Sequence, residues 1–552
     1  MTEYTLLTVE CGGIQSYVFG SNRLKENVGA SYLVAQATEA WAFEALKNAK
    51  LTHNITDPKA KKPFAKGHIF DEGSTLDAEV IYFGGGNITI LFRNKDHAKA
   101  FTERLSKKVL CEAPNLRLEV HSITWDSTNE KCPLGKAVGE LRRGMKAAVS
   151  RLPANAPLLG LGVTAMCQET GLPALARRHI GDDRRYLSAE VLAKQDIAGA
   201  AKHAKQKLED SLLEEHSGYT FPDDLDHLGR SRGESSYIAI VHADGNDMGD
   251  IIKQIGTESA DCKYIDNIRA FSQATKRISL AAMKAVIDLL IEKTVEGMEI
   301  LGVGTVPDLK FTLSDQNHMN LPIRPIIFGG DDTTFVCDGR IGVALAVEYL
   351  QAFEKAAQND EELKKLGYSD KLTACAGVAI VKSRYPFARA YALSEELCSA
   401  AKQFRRSAGF KGGALDWYFT AGGLYSDLEE MRKREYTVSQ GSLTLRPVAL
   451  GDEATVGVHR WSVVEKLTSA FQNDVWAKKR NKAKLLRDAL RQGPQEVERF
   501  RNVYIEKKGS AEDLPQLDGF ANGWCEGVCG YFDALELMDI HIPLRTDQKA
   551  GE

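Results

Sequence analysis

Three aspartates carry the strongest chemical signal in this 552-residue chain. Asp244 ends the apolar run Tyr237-Ile238-Ala239-Ile240-Val241, and Asp331-Asp332 follow Gly329-Gly330 in the turn between two further apolar runs. Runs of this kind around a glycine-rich turn read as a β-hairpin. If that hairpin lies beside the strand of Asp244 in one sheet, the carboxylates converge at one edge. Such an edge suits one or two Mg²⁺ or Mn²⁺ ions, which take hard oxygen ligands and leave positions for phosphates. Gly329-Gly330 carry no side chains, so a nucleotide can approach the backbone closely. Neighbouring strand residues point to opposite faces, so Asp331 and Asp332 both reach a metal only where the turn twists them together. Asp331 is the stronger candidate. The competing reading is an ordinary Asp-rich turn, since Asp favours turns.

The elements that must position these residues occur twice. Ile81-Tyr82-Phe83-Gly84-Gly85-Gly86-Asn87-Ile88-Thr89-Ile90 lies over Ile326-Ile327-Phe328-Gly329-Gly330-Asp331-Asp332-Thr333-Thr334-Phe335. Upstream of each hairpin is an apolar strand ending near glycine, Tyr4–Val9 before Glu10-Cys11-Gly12-Gly13 and Tyr237–Val241 before His242-Ala243-Asp244-Gly245. A helix-like stretch follows each strand. The pattern is a duplicated βα-ββ unit, much longer than a solenoid repeat. Where the second copy has Asp331-Asp332 the first has Gly86-Asn87, and its first strand offers only Glu10 and Cys11. The first copy therefore lacks the carboxylate pair, while Gly84 and Gly85 keep an open backbone that can face a nucleotide.

Length and composition frame this core. At roughly 150 residues per domain the chain holds three or four domains. Hydrophobic residues at 43% and charged residues at 26% are globular proportions, and a net charge of −4 excludes a uniformly basic nucleic-acid coat. No apolar run is long enough for a membrane helix, and the first residues lack a signal-peptide layout. Ten scattered cysteines fit reduced thiols, so a cytoplasmic protein with no membrane association is expected.

Between the copies, residues 134 to 230 read as mostly helical, most clearly from Ala198 to Leu213. A second helical block is expected from about Val463 to Tyr504, interrupted at Gly493-Pro494. Gly302 to Pro325 reads as a loop-rich insertion, and the tail after Arg545 as frayed. From Lys478 to Arg501 there are nine Lys/Arg against three Asp/Glu, with Trp476 and Phe500 at the edges. Basic residues near aromatics can track a nucleic-acid backbone, but a solvated helix face is the preferred reading. Lys402 lies eight residues after Ser394 on a helix after the strand Ala376–Lys382, within reach of a triphosphate held at the aspartates. From spacing alone, an exposed surface lysine is the commoner explanation.

These motifs together resemble the large polymerase/cyclase subunit of type III CRISPR effector complexes. The matching segments are Gly13–Phe19 with Gly29–Leu33, Asp244-Gly245-Asn246-Asp247-Met248-Gly249, Phe328-Gly329-Gly330-Asp331-Asp332, Ala376–Ala379 and Ala400-Ala401-Lys402. Leu443-Thr444-Leu445-Arg446-Pro447 is similar to the passage into the family's C-terminal helices. The resemblance implies an α+β chain of two ferredoxin-like palm domains with helical inter-palm and C-terminal domains. The expected limits are 1–133 for a degenerate first palm, 134–230 for the inter-palm domain, 231–425 for the active second palm and 426–552 for the C-terminal domain. It implies catalytic roles for Asp244, Asp331 and Asp332, metal contacts for these and Gly245, and nucleotide contacts for Gly329, Gly330, Asp247, Ser272, Lys402, Gly84 and Gly85.

Two departures from the family shape the expectation. The first palm starts at residue 4, and the Asp226-His227 neighbours lack the further ligands of an HD nuclease, so single-strand DNase activity is not expected. Met166-Cys167-Gln168-Glu169-Thr170-Gly171-Leu172-Pro173 keeps one cysteine where the family often pairs cysteines around zinc, so no zinc is expected. Cys525 and Cys529 are spaced for one helix face and read as small buried thiols. The chain is thus similar to minimal CRISPR polymerases of antiphage systems. The expected activity is a metal-dependent nucleotidyltransferase making a cyclic nucleotide or oligonucleotide from NTPs, with ATP the expected substrate. A templated polymerase and a non-enzymatic scaffold of an RNA-guided complex are the alternatives. Nucleic acid, CRISPR-type partner subunits and a second copy of the chain are the partners in view.

Overall fold

In the computed structural model the described residues are 3–56, 63–150, 162–180, 183–195, 199–229, 237–420, 427–451, 454–505, 514–516, 520 and 522–545; the tail after Arg545 lies outside them. Two sheets dominate, and they repeat one topology. The first runs Ala78–Gly84, Asn87–Phe92, Glu3–Gly12, Arg117–Asp126, every neighbour antiparallel. Helices Ile14–Phe19 and Leu24–Thr38 follow its first strand, and Lys95–Glu112 links its hairpin to its last strand. The second runs Ile323–Ile327, Asp332–Asp338, Tyr237–Gly245, Ala374–Lys382, in the same order and sense. Its helices are Met248–Glu258, Asp261–Glu292 and Gly342–Asn359. The duplicated unit expected from sequence is therefore a pair of βαββαβ ferredoxin-like domains.

The second palm adds helix Phe387–Ala408 and then strand Ala414–Phe419, parallel to Ala374–Lys382, with Val448–Ala449 at the edge. Phe387–Ala408 starts after Pro386 and stops at Gly409, whose φ of 70° is the left-handed conformation glycine supplies at helix ends. It packs unusually close to the sheet because Gly377 beneath it has no side chain. A Cβ there would lie 2.1 Å from the Ser394 carbonyl oxygen and 2.4 Å from the Cys398 nitrogen.

Helix Asp261–Glu292 joins the palms. Its apolar residues, including Ile265, Ile268, Phe271, Ile278, Ala282 and Val286, recur at helical spacing and are buried. Near its start Arg269 reaches the first palm, its Nη2 donating to Glu79 Oε1 at 2.8 Å and to the Val80 carbonyl at 2.6 Å. Glu79 is wholly buried and also accepts from the Ile69 amide. A second contact lies across the cleft. Phe19 stacks on Tyr391 at 3.8 Å, the Phe387 amide donates to Asn22 Oδ1, and Gln15 Nε2 donates to Glu395 Oε1 at 2.5 Å.

The inter-palm segment is helical at both ends, Leu134–Val149 and Ala200–Leu212. Between them it carries a two-stranded ribbon, Ala176–Ile180 with Asp183–Leu187, that the sequence pattern does not announce. Ala198, the expected start of the second helix, lies outside the described residues. In the C-terminal region helices Trp461–Gln472, Arg480–Gln492 and Pro494–Tyr504 match the expected block, with the break at Gly493. Trp476 and Phe500 are buried and the basic run forms the outer face of amphipathic helices, while Tyr504, at the end of the last of them, is 40% exposed beside Phe500.

One expectation fails here. Cys525 and Cys529 do not share a helix face but lie on paired two-residue strands, with Trp524 opposite Cys529 and Cys525 opposite Val528. The cause is the turn, where Glu526 and Gly527 both take left-handed φ values of 46° and 78° and fold the chain into a tight hairpin. Cys529 is buried, as expected of a small core thiol, whereas Cys525 is only partly buried. Among the described residues no helix is long and apolar enough to cross a membrane.

Candidate active site at the edge of the second palm

Strand register brings the aspartates together. Asp332 stands directly opposite Asp244 in the antiparallel pair, and the Gly245 amide donates to the Asp331 carbonyl at 3.1 Å, closing the edge. Gly245 leaves room for this approach, because a Cβ on it would meet Asp331 Cβ at 3.0 Å. From the neighbouring helix, Lys402 Nζ donates to Asp244 Oδ2 at 2.6 Å and to the Gly245 carbonyl at 2.8 Å. The lysine therefore faces the site, and the exposed-surface reading that spacing alone favoured is set aside.

Crowded carboxylates raise one another's proton affinity. Desolvation between the palms, then Asp244, push the Asp331 carboxyl above the usual carboxylate range. Asp332 is pushed up further by desolvation and by Asp244, Asp331 and Glu395, with Lys402 opposing. Its side chain is 45% exposed towards the cleft, yet its Oδ1 is buried and accepts no hydrogen bond. His242 Nδ1 lies 3.4 Å from that oxygen and 3.2 Å from Thr334 Oγ1. Burial pushes the His242 imidazole down to about 4, so it is neutral at pH 7.

Among the described residues no three or more His, Cys, Asp or Glu side chains are closed up as a metal cluster. The donor set nevertheless fits a hard divalent cation. It consists of carboxylate oxygens held against mutual repulsion, and Asp332 Oδ1 is a buried acceptor without a donor. Asp244, Asp331 and Asp332 are the residues that would hold such an ion, with Lys402 sharing Asp244.

The remaining candidates surround this edge unequally. Nothing lies within 4 Å of a Cβ built on Gly329 or Gly330, so the space above the turn is open. Asp247 starts helix Met248–Glu258 in a left-handed conformation, and its carboxylate is taken up by Arg405 at 2.8 Å and Arg406 at 3.7 Å. Ser272 is half-buried on helix Asp261–Glu292, one turn before Lys276. Lys276 in turn lies against the first palm's Gly84, where a built Cβ would meet its Nζ at 3.2 Å. Gly84 and Gly85 therefore form the first-palm turn beside the joining helix.

The first palm repeats the edge without its charges. Glu10 stands opposite Asn87 as Asp244 stands opposite Asp332, and the Cys11 amide donates to the Gly86 carbonyl at 2.8 Å. Gly13 and Asp247 share the left-handed start of the following helix, with φ of 65° and 55°. The correspondence of Gly86-Asn87 with Asp331-Asp332 thus holds at the level of backbone hydrogen bonds.

Sequence reasoning missed several neighbours. The Tyr391 hydroxyl is pushed up in pKa by burial, then by Asp332 and Glu395, with Gln15 opposing. The spacing of Tyr391, Glu395 and Lys402 along one helix was the available signal. From the first palm, Tyr82 is pushed up to about 12, chiefly by burial, and Asp331 contributes to the rise. Only the meeting of the two palms puts Tyr82 within electrostatic reach of Asp331.

Comparison with known proteins places this geometry. Residues 237–408 match the model of the Cas10/Cmr2 second palm domain. Among solved structures, a Csm1–Csm4 cassette in complex with pppApApA superposes with a TM-score of 0.52 at 13% identity, covering 98% of this chain and 70% of that one. The cassette in complex with AMPPNP gives 0.49 at 14% identity, with 98% and 70% covered. Csm1 of T.onnurineus gives 0.45 at 14% identity over the same shares. No curated protein sequence matches. Residues 237–408 are thus similar to the second palm domain of the Cas10/Cmr2 family, and the chain shares the fold of Csm1 in that cassette.

Proposed function

We propose that the chain is a metal-dependent nucleotidyltransferase that joins NTPs, with ATP the expected substrate, into cyclic oligonucleotides. The observation that carries this reading is the pairing of Asp244 with Asp332, with Asp331 beside Gly245, at the open edge of a Cas10/Cmr2-type palm. Such an edge gathers negative charge with no purpose in folding, since mutual repulsion of crowded carboxylates, here only partly exposed, destabilises the native state. The Csm1–Csm4 cassette of the same fold was crystallised with pppApApA, a linear oligoadenylate triphosphate, which supports an adenylate chain as product.

In this reading the 3′-hydroxyl of one nucleotide attacks the α-phosphate of the next. A P–O bond forms, the bond to the β-phosphate oxygen breaks, pyrophosphate leaves and the hydroxyl proton passes to solvent. A bound Mg²⁺ or Mn²⁺ supplies Lewis-acid charge against the phosphates. Asp244, Asp331 and Asp332 hold that charge in place. Gly329 and Gly330 admit the phosphates to the backbone. Lys402, tethered to Asp244 and the Gly245 carbonyl, brings a positive charge to the same edge. A CRISPR-type partner subunit, in the place that Csm4 takes beside Csm1, belongs to the same proposal.

The test is incubation of pure protein with each NTP and Mg²⁺ or Mn²⁺, followed by mass spectrometry of the products. Cyclic oligonucleotides from ATP are expected, and Asp331→Ala/Asp332→Ala should abolish them while leaving the thermal transition in place. Full turnover by that double variant would remove the proposal.

A further inference from the structure

The ribbon Ala176–Ile180 with Asp183–Leu187 stands apart from the palm chemistry and has a distinct surface. It forms its own two-stranded sheet, and strand alternation divides its residues between two faces. On one face Ala176 pairs with Leu187, and both pack on the small core of Cys167, Val191 and Leu192. Arg178 and Arg185 share that face, Arg185 reaching Glu169 at 3.2 Å. The other face shows the cross-strand pairs Arg177 with Tyr186 and His179 with Arg184. All four of these residues are exposed, and Tyr186 is 38% accessible.

This outward quartet is ordered rather than scattered. The Arg177 guanidinium lies 5.4 Å over the Tyr186 ring, and Arg184 Nε donates to His179 Nε2 at 3.0 Å. No carboxylate shares these two cross-strand rungs. The rungs are roughly 7 Å apart along the strand, two residues of extended chain. One offers an aromatic plane capped by a guanidinium, the other a guanidinium fixed by an imidazole. We propose that this face binds single-stranded nucleic acid, with a base stacked on Tyr186 and Arg177 and backbone phosphates on Arg184 and Arg177. A duplex keeps its base faces stacked and cannot use the tyrosine, and an acidic peptide would engage the arginines alone.

The surface lies outside the aspartate edge, so it can be tested separately. A fluorescein-labelled 20-nucleotide poly(U) RNA is titrated with the full chain by anisotropy at several salt concentrations. Arg177→Ala/Tyr186→Ala and, separately, Arg184→Glu should each weaken binding by about tenfold or more. The slope of log affinity against log salt should become shallower by about one for each phosphate that is no longer neutralised. Tyr186→Phe, which keeps the ring, should retain wild-type affinity, and Lys484→Glu on helix Arg480–Gln492 should change it less than twofold. Synthesis from ATP should be unaffected in all four variants. Unchanged affinity in the ribbon variants would overturn the assignment. So would an equal loss in Lys484→Glu, or displacement of the RNA by polyglutamate at matched charge.

Discussion

Lys402 is the residue whose role the structure changes most, since it sits on Asp244 and the Gly245 carbonyl rather than in solvent. Its charge offsets repulsion among the aspartates and lies where phosphates would arrive. Lys402→Ala should raise the ATP concentration for half-maximal rate by roughly tenfold, the scale of one charge-assisted hydrogen bond. The maximal rate should fall as well only if the contact strengthens as pyrophosphate leaves. A rate-versus-ATP curve at saturating Mg²⁺ decides, and no change in either quantity would return the lysine to a structural role. The opposite result is expected in the first palm. Gly86-Asn87 offers no carboxylate pair, so Asn87→Ala should leave the Mg²⁺ dependence of the rate where it is. A clear rise in the Mg²⁺ requirement would reveal a second metal site.

Helix Phe387–Ala408 acts as a unit, because Tyr391, Glu395 and Lys402 all depend on how closely it lies on the sheet. Gly377 sets that closeness. Gly377→Ala forces a methyl against main-chain atoms at 2.1 and 2.4 Å, and neither can rotate away. A loss of about 3 kcal/mol in urea unfolding is expected, at the upper end of overpacking effects, with synthesis falling alongside. Gly330→Ala is the matched contrast, since its Cβ meets nothing within 4 Å. Stability should stay within about 0.5 kcal/mol while synthesis falls, because the methyl occupies the path of the nucleotide. Equal stability losses in the two variants would show that helix closeness is not what matters.

At the scale of the whole molecule, contacts that tie the palms include a buried ion pair, Arg269 with Glu79, and the Phe19–Tyr391 stack. Burial lowers the proton affinity of Arg269, while Glu79 raises it. Removing one partner leaves the other buried without its opposite charge, Glu79 keeping His68 at 2.9 Å and the Ile69 amide, and Arg269 the Val80 carbonyl. Glu79→Ala or Arg269→Ala should therefore cost about 3–5 kcal/mol in urea unfolding, and Glu79→Leu/Arg269→Met should recover most of it. Single losses below about 1 kcal/mol would mean that the palms are held elsewhere. Synthesis should track the single variants, since the pair places the Gly84–Gly85 turn beside the second palm's joining helix.

Much of this protein was legible from local signals. The two hairpins, their glycines and the loss of Asp331-Asp332 in the first copy are readable because strand period and turn chemistry are properties of neighbouring residues. The convergence of the aspartates at one edge is readable once the hairpin is placed beside the strand of Asp244, whereas the register that sets Asp332, not the favoured Asp331, opposite Asp244 is decided by the sheet. The Cys525–Cys529 turn was misread because spacing of four suits a helix, whereas left-handed backbone at Glu526 and Gly527 made a hairpin. The ribbon at Arg177 to Tyr186 was missed because it is short and its apolar face rests on a core of only a few side chains. What tertiary structure alone decided is which distant surfaces meet. Gln15 reaches Glu395, Tyr82 comes under the field of Asp331, and Arg269 finds Glu79, because the packing of two palms against each other brings together partners that no spacing along the chain records.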